Sequence, residues 1–343
     1  MLNNIVRFTM RQFIPLATLA LCFSMTATAG DYHVTGKIKI GGEGGWDYLT
    51  IDPDGRRAYV SHATKVVVVD LDAEKVVGEI TDTQGVHGIA IAPKLNRGYT
   101  SNGRTNDVTV FDLKTLAPIE RIKTGENPDA IVYEPHSNRV FTFNGRSKDA
   151  TVIDAANNKV LGTIPLTGKP EFPAINGKGH IWVNIEDTHQ ITEIDASTMK
   201  VTRSFTLEGC EDPTGLAMDA KAMQLFSVCG NKVMAISDAK TGKMVTTVPI
   251  GEGSDGAGFD PGNGMAFSSN GEGTVTVVTK KGGKFEASTV PTEKGARTMA
   301  VDTKTHKLYM PTSDFAAPPA SADKKEGRPR PVPGSFRLVV LAQ

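Results

Sequence analysis

The stretches KVVVVD (65–70), DVTVFD (107–112) and DATVID (149–154) decide the fold. Each is a short apolar run, rich in β-branched residues, that ends on an aspartate. Weak alternation of this kind marks a strand covered on both faces. Four further runs continue the series: QITEID ending at Asp195, KVMAIS at Ser237, TVTVVT at Thr279 and RLVVLA at Ala342. The steps between their last residues are 42, 42, 41, 42, 42 and 63. A fixed period of this length signals a repeat architecture.

Each run has the same companions. An aromatic strand precedes it, centred on Tyr59, Tyr99, Phe141, Trp182, Phe226 and Tyr309, with Phe267 a looser sixth copy. A small-apolar strand comes before that (YLTID, GIAIA, AIVYE, GLAMD, TMAVD), and a fourth strand follows a turn of Asp, Asn, Gly and Lys (KVVGEI, KVLGTI, KMVTTV). Such turns suit tight hairpins. Four strands per repeat, repeated radially, are the blades of an all-β, seven-bladed β-propeller. The seventh copy has no fourth strand after RLVVLA, whereas HVTGKI (33–38) has the fourth-strand pattern and no blade of its own. Pairing the two closes the ring and removes an exposed sheet edge. The long last step places a Pro-rich insertion, 316–334, between the second and third strands of blade seven.

The whole chain has 343 residues, with 38 Lys and Arg against 38 Asp and Glu. This balance disfavours a nucleic-acid surface, and aromatic residues are only 6%. Residues 1–29 read as a cleavable signal peptide: Arg7 and Arg11, an apolar stretch from Phe13 to Met25, then Ala27-Thr28-Ala29. The expected mature chain, 30–343, loses those two arginines and carries a net charge of −2, without a transmembrane segment. A periplasmic location follows, and in an oxidising space Cys210 and Cys229 form a natural disulfide pair. A monomer is expected.

The copies resemble the YncE-like propellers built from YVTN repeats. The residues that carry the resemblance are AYVSH, GYTSNG and VFTFNG, then VVVVD, VTVFD and ATVID, then KVVGEI and KVLGTI, with VPGSFRLVVL in blade seven. It spans nearly all of 30–343 and implies an exported seven-bladed ring, with little said about chemistry. Blade four departs from the pattern by placing Glu193 inside its central strand, and blade six by a Gly-rich opening at 251–264.

Aligning the loops that enter the innermost strands brings Asp47, His87, Asp129, Glu171, Thr214, Asp255 and Arg297 to equivalent places around one mouth. The loops between second and third strands add His62, Asn102 and Arg104, Asn144 and Arg146, Asn184 and Glu186, Asn231, Asn270 and Glu272, and Asp314. Trp46 stands beside Asp47 and could stack on a ligand. Crowded carboxylates repel, and a cation or proton relieves them. Asp47, His87, Asp129, Glu171 and Asp255 are therefore candidate ligands for a divalent cation, calcium or zinc. The arginines suit an anionic group. A merely solvated channel explains the same polar residues, because short turns prefer Asp and Asn. No GxSxG, HExxH or phosphate-binding glycine loop is present. The expectation is a non-catalytic binding or scaffold protein that holds a small molecule or periplasmic protein at its mouth. The alternative is a metal-dependent lactonase, lyase or hydrolase.

Overall fold

The computed structural model describes residues 32–316 and 330–343. The leader at 1–29 and most of the insertion at 316–334 lie outside them. Seven four-stranded antiparallel sheets make up the structure. Blade 1 runs Leu49–Asp52, Arg57–His62, Lys65–Asp70, Lys75–Ile80, and blade 2 Val86–Ala92, Arg97–Asn102, Asp107–Asp112, Pro118–Lys123. Blade 3 runs Pro128–Glu134, Arg139–Asn144, Asp149–Asp154, Lys159–Pro165. Blade 4 runs Pro170–Ile175, His180–Ile185, Gln190–Asp195, Lys200–Thr206. Blade 5 runs Pro213–Asp219, Gln224–Cys229, Val233–Asp238, Met244–Pro249. Blade 6 runs Ser254–Asp260, Met265–Asn270, Thr274–Lys281, Lys284–Pro291.

Blade 7 is made from both ends of the described chain: Ala300–Asp302, Lys307–Thr312, Arg337–Ala342 and, outermost, His33–Lys39. His33 pairs with Ala342 and Lys39 with Arg337, so the N-terminal strand closes the ring.

The packing follows from the repeat. The four central positions of the third strands in blades 1 to 3, mostly apolar, are buried, because a neighbouring blade covers each side. The buried side chains fall into seven clusters, one at each seam between adjacent blades. At the seam of blades 7 and 1, for example, Tyr309, Leu338 and Val340 meet Leu49, Val60 and Val67. Each fully buried side chain of this size contributes about 1.5–3 kcal/mol, so the closing seam is as firmly built as the others.

Where an aspartate closes the third strand, it has a local task. Asp70 Oδ1 accepts hydrogen bonds from the backbone N–H groups of Asp72 and Ala73, at 3.0 and 2.8 Å. Asp112 and Asp238 do the same in their turns.

A second repeated device spans the seams. The first residue of the second strand is arginine in blades 1 to 3, and it reaches the turn of the next blade. Arg57 Nη1 donates to the Leu113 carbonyl at 2.6 Å, Arg97 to Ala155 and Ala156 at 2.9 and 3.0 Å, and Arg139 to Ala196 and Ser197 at 2.6 Å each. Blade 4 has His180 at this place. There Arg203, from the outer strand, donates instead to the matching carbonyls, Ala239 and Lys240. Glu193 stands between them, paired in register with Trp182 on one side and Arg203 on the other, and its carboxylate holds Arg203 Nε. The acid inside the central strand is thus the counter-charge of a relocated clamp.

Candidate functional site

The entry loops of the innermost strands bring six of the seven aligned residues into one linked charge system. His87 Nδ1 lies 2.6 Å from Asp47 Oδ2 and 3.6 Å from Asp129 Oδ1. Arg297 Nε lies 2.9 Å from Asp255 Oδ2, and its Nη2 is 3.4 Å from Asp47 Oδ1. Lys169 Nζ lies 2.6 Å from Glu171 Oε1 and also pairs with Glu186. Each cation therefore sits between two acids. Asp47, Asp129, Glu171, Glu186 and Asp255 oppose only His87, Lys169 and Arg297, leaving an excess of two negative charges when all are ionised. The seventh aligned residue, Thr214, donates its hydroxyl to the Ser254 carbonyl at 3.3 Å.

The excess shows in the titration of the cluster. Burial alone would depress His87, but the hydrogen bond to Asp47 and the field of Asp129 raise it to about 9. Burial, reinforced by the other acids, raises Asp129, Glu171 and Asp255 above the usual carboxylate range. Lys169 is raised: burial opposes its charge, but the bonds to Glu171 and Glu186 outweigh it.

Tyr48 closes the floor of this cup. It belongs to the entry of blade 1, yet its ring packs 5.0 Å from Phe172 of blade 4, on the far side of the channel. Its hydroxyl donates to Glu171 Oε2 at 3.5 Å, and burial raises its pKa well above the ordinary phenol value. Nothing in the repeat alignment singles out Tyr48, because its partner lies across the ring rather than in a neighbouring copy. Lys169 was equally hidden; it precedes the strand that carries Glu171.

Beside the cluster lies a cavity of about 610 Å³, lined by Trp46, Asp255, Gly295, Arg297, Phe315 and Pro331. Trp46 packs on Phe336 and Phe315 at 5.2 and 6.1 Å, and its buried Nε1 has no hydrogen-bond partner. The feet of the insertion form this wall: Phe315 bridges Pro331, and Val332 N donates to the Asp314 carbonyl at 2.7 Å.

The second-to-third-strand loops divide. Arg104 and Arg146 are exposed, and among the described residues neither has an ion-pair partner. Asn102 and Asn144 are instead fully buried and face inward. Asn102 Nδ2 donates to Asp107 Oδ1 and Thr109 Oγ1 at 2.9 and 2.8 Å, and Asn144 Nδ2 to Asp149 Oδ1 and Thr151 Oγ1 at 2.6 and 3.0 Å. They brace the hairpins rather than line the mouth, because a buried amide must find its partners in the protein. His62 is also inside, stacked on Phe336 at 4.3 Å. Gly103 is what brings its loop close: a Cβ there would come within 2.6 Å of His87 Nε2. Cys210 and Cys229 are joined by a disulfide at blade 5.

No protein-family model matches the chain, and no curated protein matches it. Among solved structures it is similar to a chain of Kuenenia stuttgartiensis hydrazine synthase, with a TM-score of 0.67 and 17% sequence identity, over 81% of this chain and 95% of that one. At that identity the likeness concerns the propeller fold alone. No helix among the described residues is long and apolar enough to cross a membrane.

Proposed function

We propose that the protein is an exported binding propeller that holds a small ligand at its mouth, against a divalent cation carried by Asp47, His87 and Asp129. One observation carries this reading: donor atoms of these three residues all lie within 4.8 Å of one another. An imidazole with two carboxylates suits zinc or another borderline ion better than calcium, which prefers oxygen alone. The excess negative charge of the cluster favours such an ion. Binding must displace the proton that His87 carries, so affinity rises with pH. Trp46 and Phe315 would flank the body of the ligand, and Arg297 would face an anionic group. Export to the periplasm is supported by the leader-like 1–29 and by the Cys210–Cys229 disulfide.

A second reading, a metal-dependent hydrolase or lactonase, is favoured by Glu171. This buried acid, raised in pKa, stands within the field of Asp129 above the floor set by Tyr48. Calorimetric titration of metal-stripped protein with zinc chloride and calcium chloride tests the cation site. Zinc should bind, and H87Q and D129N should each weaken it at least tenfold. Absence of zinc binding, or binding indifferent to both substitutions, overturns the proposal. Turnover of ester or lactone substrates by the zinc-loaded protein would favour the second reading over the first.

A further inference from the structure

The relocated clamp of blade 4 opens a second cavity, away from the mouth. In blades 1 to 3 an arginine side chain runs along the seam to the neighbouring turn. With His180 in that place and the clamp moved to the outer strand, a cavity of about 460 Å³ stands between blades 4 and 5. His180, Trp182, Arg203, Met223, Ala239 and Lys240 line it, together with Glu193.

Its chemistry is uneven in an informative way. Trp182 is only 1% exposed, yet its Nε1 has no hydrogen-bond partner. The equivalent tyrosine of blade 2, Tyr99, directs its hydroxyl to the Ala155 carbonyl at 3.2 Å. A buried N–H without a partner is costly, and here it belongs to a side chain that borders open space. His180 stacks on Trp182 at 5.9 Å. Its Nδ1 lies 3.0 Å from Glu193 Oε1, an ion-pair contact without hydrogen-bond geometry. Among the described residues Lys240 has no ion-pair partner, while the charge of Glu193 is met by Arg203. The lining thus offers one unused donor, Trp182 Nε1, and a positive balance at one part, and the apolar surface of Met223 and Ala239 at another.

We propose that this groove binds a small organic carboxylate. Its head accepts a hydrogen bond from Trp182 Nε1 and faces Lys240, and its short apolar body lies against Met223 and Ala239. This site is independent of the mouth and of any metal there.

The two tryptophans make the test direct, since each borders one of the two cavities. Protein labelled with 5-fluorotryptophan should give two ¹⁹F resonances, assigned with W46F. Valerate is the probe, with the neutral valeramide and inorganic phosphate as controls. The expected result is a saturable shift of the Trp182 resonance with valerate, at least tenfold weaker with either control. K240A, at a surface side chain, should weaken valerate about tenfold, as loss of one charged contact does. Movement of the Trp46 resonance alone, equal response to valeramide, tighter binding of phosphate, no saturable shift, or indifference to K240A would each overturn the proposal.

Discussion

Replacing His87 with glutamine tests whether the mouth is a stressed charge cluster or an ordinary wet loop. The imidazolium is poised between Asp47 and Asp129, and its pKa rises from 6.5 to about 9 in the folded ring. A cation with a raised folded pKa contributes stability that is fully present below the unfolded value of 6.5 and is lost as pH climbs through about 9. The shift corresponds to about 3 kcal/mol in full. Its side chain is 29% exposed, so water screens part of this, and about 2 kcal/mol is expected at pH 7. Glutamine can keep a neutral hydrogen bond to Asp47 but cannot balance Asp129. Without the imidazolium Asp129 rises further above the ordinary range, so the variant recovers some stability as the pH falls and that acid takes a proton. The stability difference between the two proteins should therefore peak near neutrality and vanish above about pH 9 to 10. Urea denaturation of both proteins across pH 5 to 10 measures it. A difference that is flat in pH, or that grows in alkali, refutes the assigned roles.

Three further outcomes are expected. Reducing Cys210–Cys229, which closes a loop with a sequence separation of 19, should cost about 3 kcal/mol, read as a lowered urea midpoint with and without reductant. Deleting residues 32–39 should leave Arg337–Ala342 as an open edge and convert the protein to oligomers in light scattering after size exclusion. In blade 4, E193V should destabilise by about 2 kcal/mol or more by leaving Arg203 without its counter-charge, whereas the triple variant H180R/E193V/R203T, which rebuilds the clamp of blades 1 to 3, should lie within about 1 kcal/mol of the parent.

The ring was legible because its strands repeat at nearly constant spacing, and because a strand between two covered faces is mostly apolar. Closure was legible because His33–Ile38 has the fourth-strand pattern that blade 7 lacks, and the strand His33–Lys39 pairs there. The same alignment picks out Asp47, His87, Asp129, Glu171, Asp255 and Arg297, which the ring brings together because equivalent positions in a closed ring face a common centre. Asn102 and Asn144 come out of the same alignment but turn inward, because a repeat position tells which loop a residue occupies, not which way it turns. An asparagine five residues before a strand-borne aspartate and seven before a threonine is drawn inward by the need to satisfy the hairpin.

Blade 4 shows where such reading stops and why. Glu193 stands out in the sequence as a charge in an apolar strand, but its meaning depends on two residues that no spacing rule joins to it. Trp182 and Arg203 become its neighbours only through the cross-strand register, and the vacancy that Arg203 fills exists only because His180 is not arginine. A single acid at position 193 would be a defect costing several kcal/mol. Taken with Arg203 and the carbonyls of Ala239 and Lys240, it is half of a clamp whose relocation left His180 and Trp182 bordering open space. The irregular blade is therefore the place where the repeat constraint was exchanged for a cavity, and its departure from the pattern points to a second binding function more directly than the regular blades point to the first.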